Sequence, residues 1–166
     1  MTYHWGGGRS VSRHCTIDST GAPGSIAGPV DCHGNQSYWT NSGFTNQRGT
    51  IRFEFYNNTV KMGKGVFQIM DLRGGSNLIH DNTFTTSDGA TPNVCDFRDE
   101  EDDPNNTPGI AVRSPVQWPC EDQITASFIW NNTLNGSAYN SVGVGTFGNS
   151  NATTGDPFYI KANRDY

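Results

Sequence analysis

Chemistry-bearing residues cluster at a few places in the chain. His14-Cys15 and Cys32-His33 supply the donor types of a Cys2His2 zinc site. Neighbours on an extended strand face opposite ways, so both members of each pair would reach one metal only from a turn. A disulfide is the simpler expectation for Cys15 and Cys32. Further on, Asp99, Glu101, Asp103 and Asn105 alternate oxygen donors along one side of an extended segment, a pattern that could hold calcium. It departs from an EF-hand loop because Pro104 stands where that loop needs glycine, and its alternative is a solvated acidic loop. With zinc set aside in favour of the disulfide, calcium is the one cofactor this reading keeps, and none is required.

Acid–base chemistry on sugars asks for other groups. For β-elimination, a site must neutralise a uronate carboxylate and hold a Lys or Arg base near the proton removed. Arg113, Lys61 and Lys64 have the charge for this, as do Arg73 and Arg98. For glycoside hydrolysis, two carboxyl groups must flank the scissile bond. Asp71 and Asp81 are the pair nearest one repeat, although Asp81 is more simply a turn residue. No G-x-S-x-G, H-E-x-x-H or G-K-[ST] motif occurs. An enzyme reading would favour a polysaccharide lyase over a hydrolase.

The elements that must position these groups announce themselves as a repeat. Phe55-Tyr56-Asn57-Asn58-Thr59-Val60, Ile79-His80-Asp81-Asn82-Thr83-Phe84 and Ile129-Trp130-Asn131-Asn132-Thr133-Leu134 share one pattern. It reads apolar, ring, Asn/Asp, Asn, Thr, apolar. The intervals are 82 − 58 = 24 and 132 − 82 = 50 residues, the second read as about two turns if a loop is inserted. Periods of this size point to a solenoid. An Asn at a sharp corner tolerates the left-handed backbone conformation, and its amide can bond to the same Asn one coil away. Asn58, Asn82 and Asn132 are therefore a candidate ladder. Phe55, Ile79, Ile129, Val60, Phe84 and Leu134 should point inward, and strand parity turns Tyr56, His80 and Trp130 outward, one above another. That column is a candidate ligand platform, because flat rings on a rigid scaffold suit sugar rings; Arg73 is added to it as a polar candidate.

The stretch Met70-Asp71-Leu72-Arg73-Gly74-Gly75 through Asn82-Thr83-Phe84 resembles the "RGG…NTF" coils of large extracellular pectate-lyase-like β-helix proteins. Trp118-Pro119-Cys120-Glu121-Asp122-Gln123-Ile124 with Phe128-Ile129-Trp130-Asn131-Asn132-Thr133 resembles their "YPC-DQI…YIWNNT" segment, and Arg164-Asp165-Tyr166 their closing "RDY". The likeness covers about residues 50 to 166. It implies an all-β, right-handed parallel β-helix, and says little about activity. Arg113-Ser114-Pro115-Val116-Gln117-Trp118 partly resembles the R-x-P-x-x-R motif of pectate lyases, but Trp118 replaces the second arginine. The N-T-D and G-H-G motifs of β-helix polygalacturonases are missing, and the Asp102-Asp103 pair lies in the acidic run.

Composition fits this architecture and excludes others. A hydrophobic fraction of 33% with only 16% charged residues suits a thin core and turn-dense β structure better than a helical bundle or a charged tail. The net charge of -5 is matched by the five negative charges of the run from Asp99 to Asp103. With no basic stripe, nucleic acid is not an expected partner, and no apolar stretch is long enough to span a bilayer. The whole chain, 1–166, reads as one β-helix domain, a segment of a longer solenoid, with a long polar loop at 85–122 inserted between coils. Cys95 and Cys120 bracket most of that loop, and closing it would contribute roughly 3–4 kcal/mol. Cys95–Cys120 with Cys15–Cys32 is the preferred pairing, and it implies an extracellular setting. The functional expectation is a module of a surface, matrix or virion protein that binds glycan or assembles. Its alternatives are a lyase or hydrolase acting in a groove under the 85–122 loop, and a filament subunit joined through uncapped solenoid ends.

Overall fold

The computed structural model describes residues 2–4, 8–21, 28–32, 50–99, 124–146, 160 and 162–166. After β1 (Thr2–His4), the chain makes four passes of short strands. The first is β2 (Arg9–Arg13), β3 (Thr16–Ser19) and β4 (Val30–Cys32); the second is β5 (Arg52–Tyr56), β6 (Thr59–Met62) and β7 (Gln68–Leu72). The third is β8 (Ser76–His80), β9 (Thr83–Thr86) and β10 (Asn93–Asp99); the fourth is β11 (Phe128–Trp130), β12 (Thr133–Leu134), β13 (Ser137–Ala138) and β14 (Val142–Thr146). Among the described residues there is no helix.

The strands form three sheets, ordered β2-β5-β8-β11, β3-β6-β9-β12-β13 and β1-β4-β7-β10-β14. Each pass visits them in that sequence. Every pairing is parallel except β12 with β13. The chain is all-β and built of parallel sheets. Parity sorts the side chains: Phe53, Phe55, Ile79, Val60, Met62, Phe84, Met70, Leu72 and Phe97 are buried in one core, and Ile129 packs against it. Each full burial of a side chain this large contributes roughly 1.5–3 kcal/mol.

The repeated corner works through two adjacent residues. Asn57, Asp81 and Asn131 adopt left-handed φ of 54°, 55° and 52°. The sequence pattern assigned that conformation to the Asn that follows; the structure gives it to the residue before, where Asn and Asp tolerate it. The following Asn turns inward and bonds along the stack. Asn58 Nδ2 donates to Asn82 Oδ1 at 3.2 Å, and Asn82 Nδ2 to Asn132 Oδ1 at 2.9 Å. The same oxygens accept the backbone N–H of Asn58 and Asn82. All three residues are buried, so their amides lack water and depend on one another.

Asn82 and Asn132 are neighbours, so the 50-residue interval is one pass with an insertion rather than two passes. Part of the stretch read as a loop from 85 to 122 is strand: β10 runs from Asn93 to Asp99 and pairs with β7 and β14. Cys95 and Phe97, on one face of the strand, and Val94 beside them are all buried and carry it into the sheet. Gly75, at the turn into β8, has φ 66° and sits so close to the carbonyls of Thr50 and Ile51 that a Cβ would collide with them.

The expected disulfides are absent. Cys15, Cys32 and Cys95 are free thiols. Cys15 is exposed at the β2–β3 corner, whereas Cys32 is buried in β4, in register with Leu72 of β7 in the third sheet. Cys95 is fully buried in the core beside Met70. Burial, helped by nearby aspartates, pushes both buried thiols well above the usual range, keeping them protonated. Cys120 and His33 lie outside the described residues.

The stack is also finished at one side. After Leu134, Asn135 and Gly136, with φ of 49° and 83°, turn the chain into an antiparallel hairpin. Asn140 then accepts from Asn132 Nδ2 at 3.0 Å, filling the place of a next rung. Ile160 and Asp165 are buried near the same end, where Ser127 N–H donates to the Asp165 carbonyl. The expected bare solenoid end is therefore partly covered here.

Candidate functional site

Register places Arg13, Tyr56, His80 and Trp130 side by side on the outer face of the first sheet. The rings form a tight column. Tyr56 and His80 stack with centroids 4.9 Å apart and planes 4° from parallel; His80 and Trp130 follow at 4.2 Å and 10°. Arg13 Nη1 donates to Tyr56 Oη at 3.3 Å, and His14 meets the Tyr56 ring edge-on. His80 Nδ1 lies 2.7 Å from Asp81 Oδ2, and this bond holds the Asp81 carboxyl below the usual range.

The geometry changes what this column can offer. Its inner ring faces are turned on each other, so Tyr56 and His80 present edges rather than faces. The free face belongs to Trp130, because β11 is the edge strand of its sheet. Trp130 is 38% exposed, and Phe128, two residues earlier on the same face, is 57% exposed. Two large apolar side chains exposed side by side on one strand form an apolar patch, which makes this edge a candidate contact surface. Beside Phe128, a cleft of about 390 Å³ opens between β11 and the turn 162–166, lined by Ser127, Phe128, Asn163, Arg164, Asp165 and Tyr166. At the other edge of the sheet stand Arg9, Arg13 and Arg52, the last paired with Glu54 at 2.8 Å.

The other sequence candidates do not converge on this face. Arg73 is buried on the third sheet, where Nε and Nη2 donate to Asp71 Oδ2 at 3.1 and 2.8 Å and Asp31 lies 3.8 Å away. Asp71 is thus tied into an ion pair and nearly inaccessible. Lys61 is exposed on β6 in register with Asp18, and Lys64 is exposed in the next turn, near Asp88. Arg113, Glu101, Asp103 and the side chains of Asp99 and Arg98 lie outside the described residues. Among the described residues, no cluster of three or more metal-ligating side chains occurs.

Two rows escaped the sequence pattern. Asp31, Asp71 and Asp96 stand in register on β4, β7 and β10, with Gly143 of β14 completing the row. A Cβ at position 143 would strike the Asp96 carboxylate. The signal was legible as Val30-Asp31-Cys32, Met70-Asp71-Leu72, Cys95-Asp96-Phe97 and Val142-Gly143-Val144. The second miss is a fourth copy of the corner, Arg13-His14-Cys15-Thr16-Ile17. His14 takes φ 55°, and Cys15 occupies the ladder position, its N–H donating to Asn58 Oδ1 at 2.9 Å. No family model, curated protein or solved structure matches the chain.

Proposed function

We propose that the chain is a right-handed parallel β-helix module that binds glycan on the outer face of its first sheet. The cyclic visiting of three parallel sheets supports the helix, and parallel crossovers are right-handed in nearly all proteins. The observation that carries the binding reading is the exposed Phe128–Trp130 pair at the free end of a rigid stack of rings. Sugar rings present apolar faces that pack on such side chains, while their hydroxyls need the polar groups found alongside. The setting in a surface, matrix or virion protein rests on the family resemblance, since free thiols at Cys15, Cys32 and Cys95 remove the disulfide argument.

A lyase or hydrolase is the weaker reading. Asp71 is consumed by Arg73, and Lys61 on β6 and Lys64 in the turn after it stand beside single carboxylates, Asp18 and Asp88, away from the ring column. Retention of the protein on a panel of immobilised polysaccharides, run beside assays for new reducing ends and unsaturated uronate, tests the choice. Retention without product, lost on Trp130→Ala, is the expected result. Product formation would replace the binding reading with an enzymatic one, and no retention on any polymer would remove it.

A further inference from the structure

The glycan reading leaves open how the hydroxyls of the sugar are met. Each ring of the column carries a polar atom: Tyr56 Oη, His80 Nε2 and Trp130 Nε1. Tyr56, His80 and Trp130 are in register on β5, β8 and β11, so these atoms follow one another along the stack, one per coil. Geometry fixes the role of His80. Its Nδ1 lies 2.7 Å from Asp81 Oδ2. That bond holds the Asp81 carboxyl below the usual range, so it stays ionised in neutral and mildly acid water and can only accept. Nδ1 therefore carries the proton, and in the neutral ring Nε2 keeps its lone pair. Nε2 bonds to no protein group among the described residues and is not one of the buried unpaired atoms, so it opens on water. Its neighbours offer the opposite. Tyr56 Oη already accepts from Arg13 and has its O–H to give, and Trp130 Nε1 can only donate. The column is a row of donor, acceptor, donor.

A sugar hydroxyl accepts one hydrogen bond while donating another. One that accepts from Tyr56 or Trp130 has its own proton left to give, and the acceptor in the row is His80. We infer that His80 is the specificity-determining residue of the glycan face: its neutral imidazole accepts a sugar hydroxyl at Nε2, the glycan runs across the coils rather than along one strand, and protonation of His80 loosens it. This rests on the glycan reading and names its polar contact and its control. Protonation makes Nε2 a third donor and leaves the proton of the hydroxyl without a partner in the row. The titratable and charged groups around the imidazole are few. Asp81 stands at its own corner; β5 brings Tyr56, with Arg13 and His14 behind it, and Glu54, which is tied to Arg52. From β11 come the uncharged Trp130 and Phe128. His14 is the other imidazole, and it meets Tyr56 rather than His80.

Calorimetric titration of the whole chain with cello-, malto- and manno-hexaose and with oligogalacturonate decides it, run from about pH 8 to about pH 5, the interval in which imidazoles as a class change charge. At least one hexaose should bind at the upper end, and its Kd should rise roughly 3- to 10-fold toward the lower, the worth of one hydrogen bond, in step with protonation of His80 followed by NMR. His80→Phe keeps a flat ring in the stack and has no acceptor. It should bind roughly 3- to 10-fold more weakly than wild type at the upper end and lose the pH dependence. The wild-type profile stands by itself should that variant fail to fold. A Kd that does not change with pH, a loss in acid that persists in His80→Phe, or binding of oligogalacturonate alone and more tightly in acid would overturn the role of His80 while the glycan reading survives. Binding by none of the four sugars at any pH would overturn both.

Discussion

Two stacks rise from the same corners and obey different physics. Asn58, Asn82 and Asn132 stack inside the core, and Tyr56, His80 and Trp130 stack two residues away on the outside. The inner stack is polar in a dry place, so each amide is held by its neighbours and losing one strands the others. The outer stack is flat and partly wet, and each ring gains only a modest contact over what water would give it. The inner stack therefore fixes the fold, and the outer one stays in reach of solvent. Specificity of structure and availability for function separate across a single turn of backbone.

The sharpest way to break this contrast is at the middle rungs. Asn82→Ala removes the acceptor for Asn58 and the donors to Asn132 and to the Phe55 carbonyl. It should cost about 3 kcal/mol in urea unfolding. His80→Ala removes the middle ring of the outer stack and should cost only about 1 kcal/mol. Equal losses at the two positions would erase the distinction.

A smaller effect probes the link between the stacks. Asp81 joins the left-handed corner to His80, and its carboxyl is held below the usual carboxylate range chiefly by that bond. A depressed carboxyl adds stability that is present above its unfolded value and lost as pH falls through the folded one. Asp81→Asn keeps the corner conformation available. The gap in melting temperature between wild type and this variant should shrink as pH falls below about pH 4. A gap that widens in acid would contradict the assignment. Smallest of all, Cys15→Asn should extend the inner ladder by one exposed rung and gain about 0.5 kcal/mol. In a thiol-labelling assay on the wild type, Cys15 should react in the folded state, and Cys32 and Cys95 only on unfolding.

Much of this was readable from residue order because a stacked repeat writes itself into sequence. The positions inward of each corner, from Phe55 to Leu134, follow from strand parity alone, and the ring column follows from the same count. What escaped had a different cause in each case. The corner at His14-Cys15 was hidden because it lacks Asn, although the backbone needs only a tolerant residue at 14 and an N–H at 15. The row of Asp31, Asp71 and Asp96 was hidden by unequal spacing, 96 − 71 = 25 against 71 − 31 = 40 residues. Cysteine count misled because pairing depends on where side chains point, and Cys32 and Cys95 point into the core. The separation of Arg73 from the rings, and the turning of ring faces toward one another, follow from three-dimensional placement that no local pattern encodes.

The hairpin after Leu134 reaches beyond local geometry. A pile of parallel strands in identical register is a template, and at each cross-section it could recruit a matching strand from another molecule, as cross-β fibres do. By reversing direction through Asn135-Gly136 and spending Asn140 on the final rung, the second sheet offers an arriving parallel strand the wrong polarity and an amide row already satisfied. Along that sheet the protein carries its own stop signal, so a repetitive architecture can stay finite there without a separate capping domain.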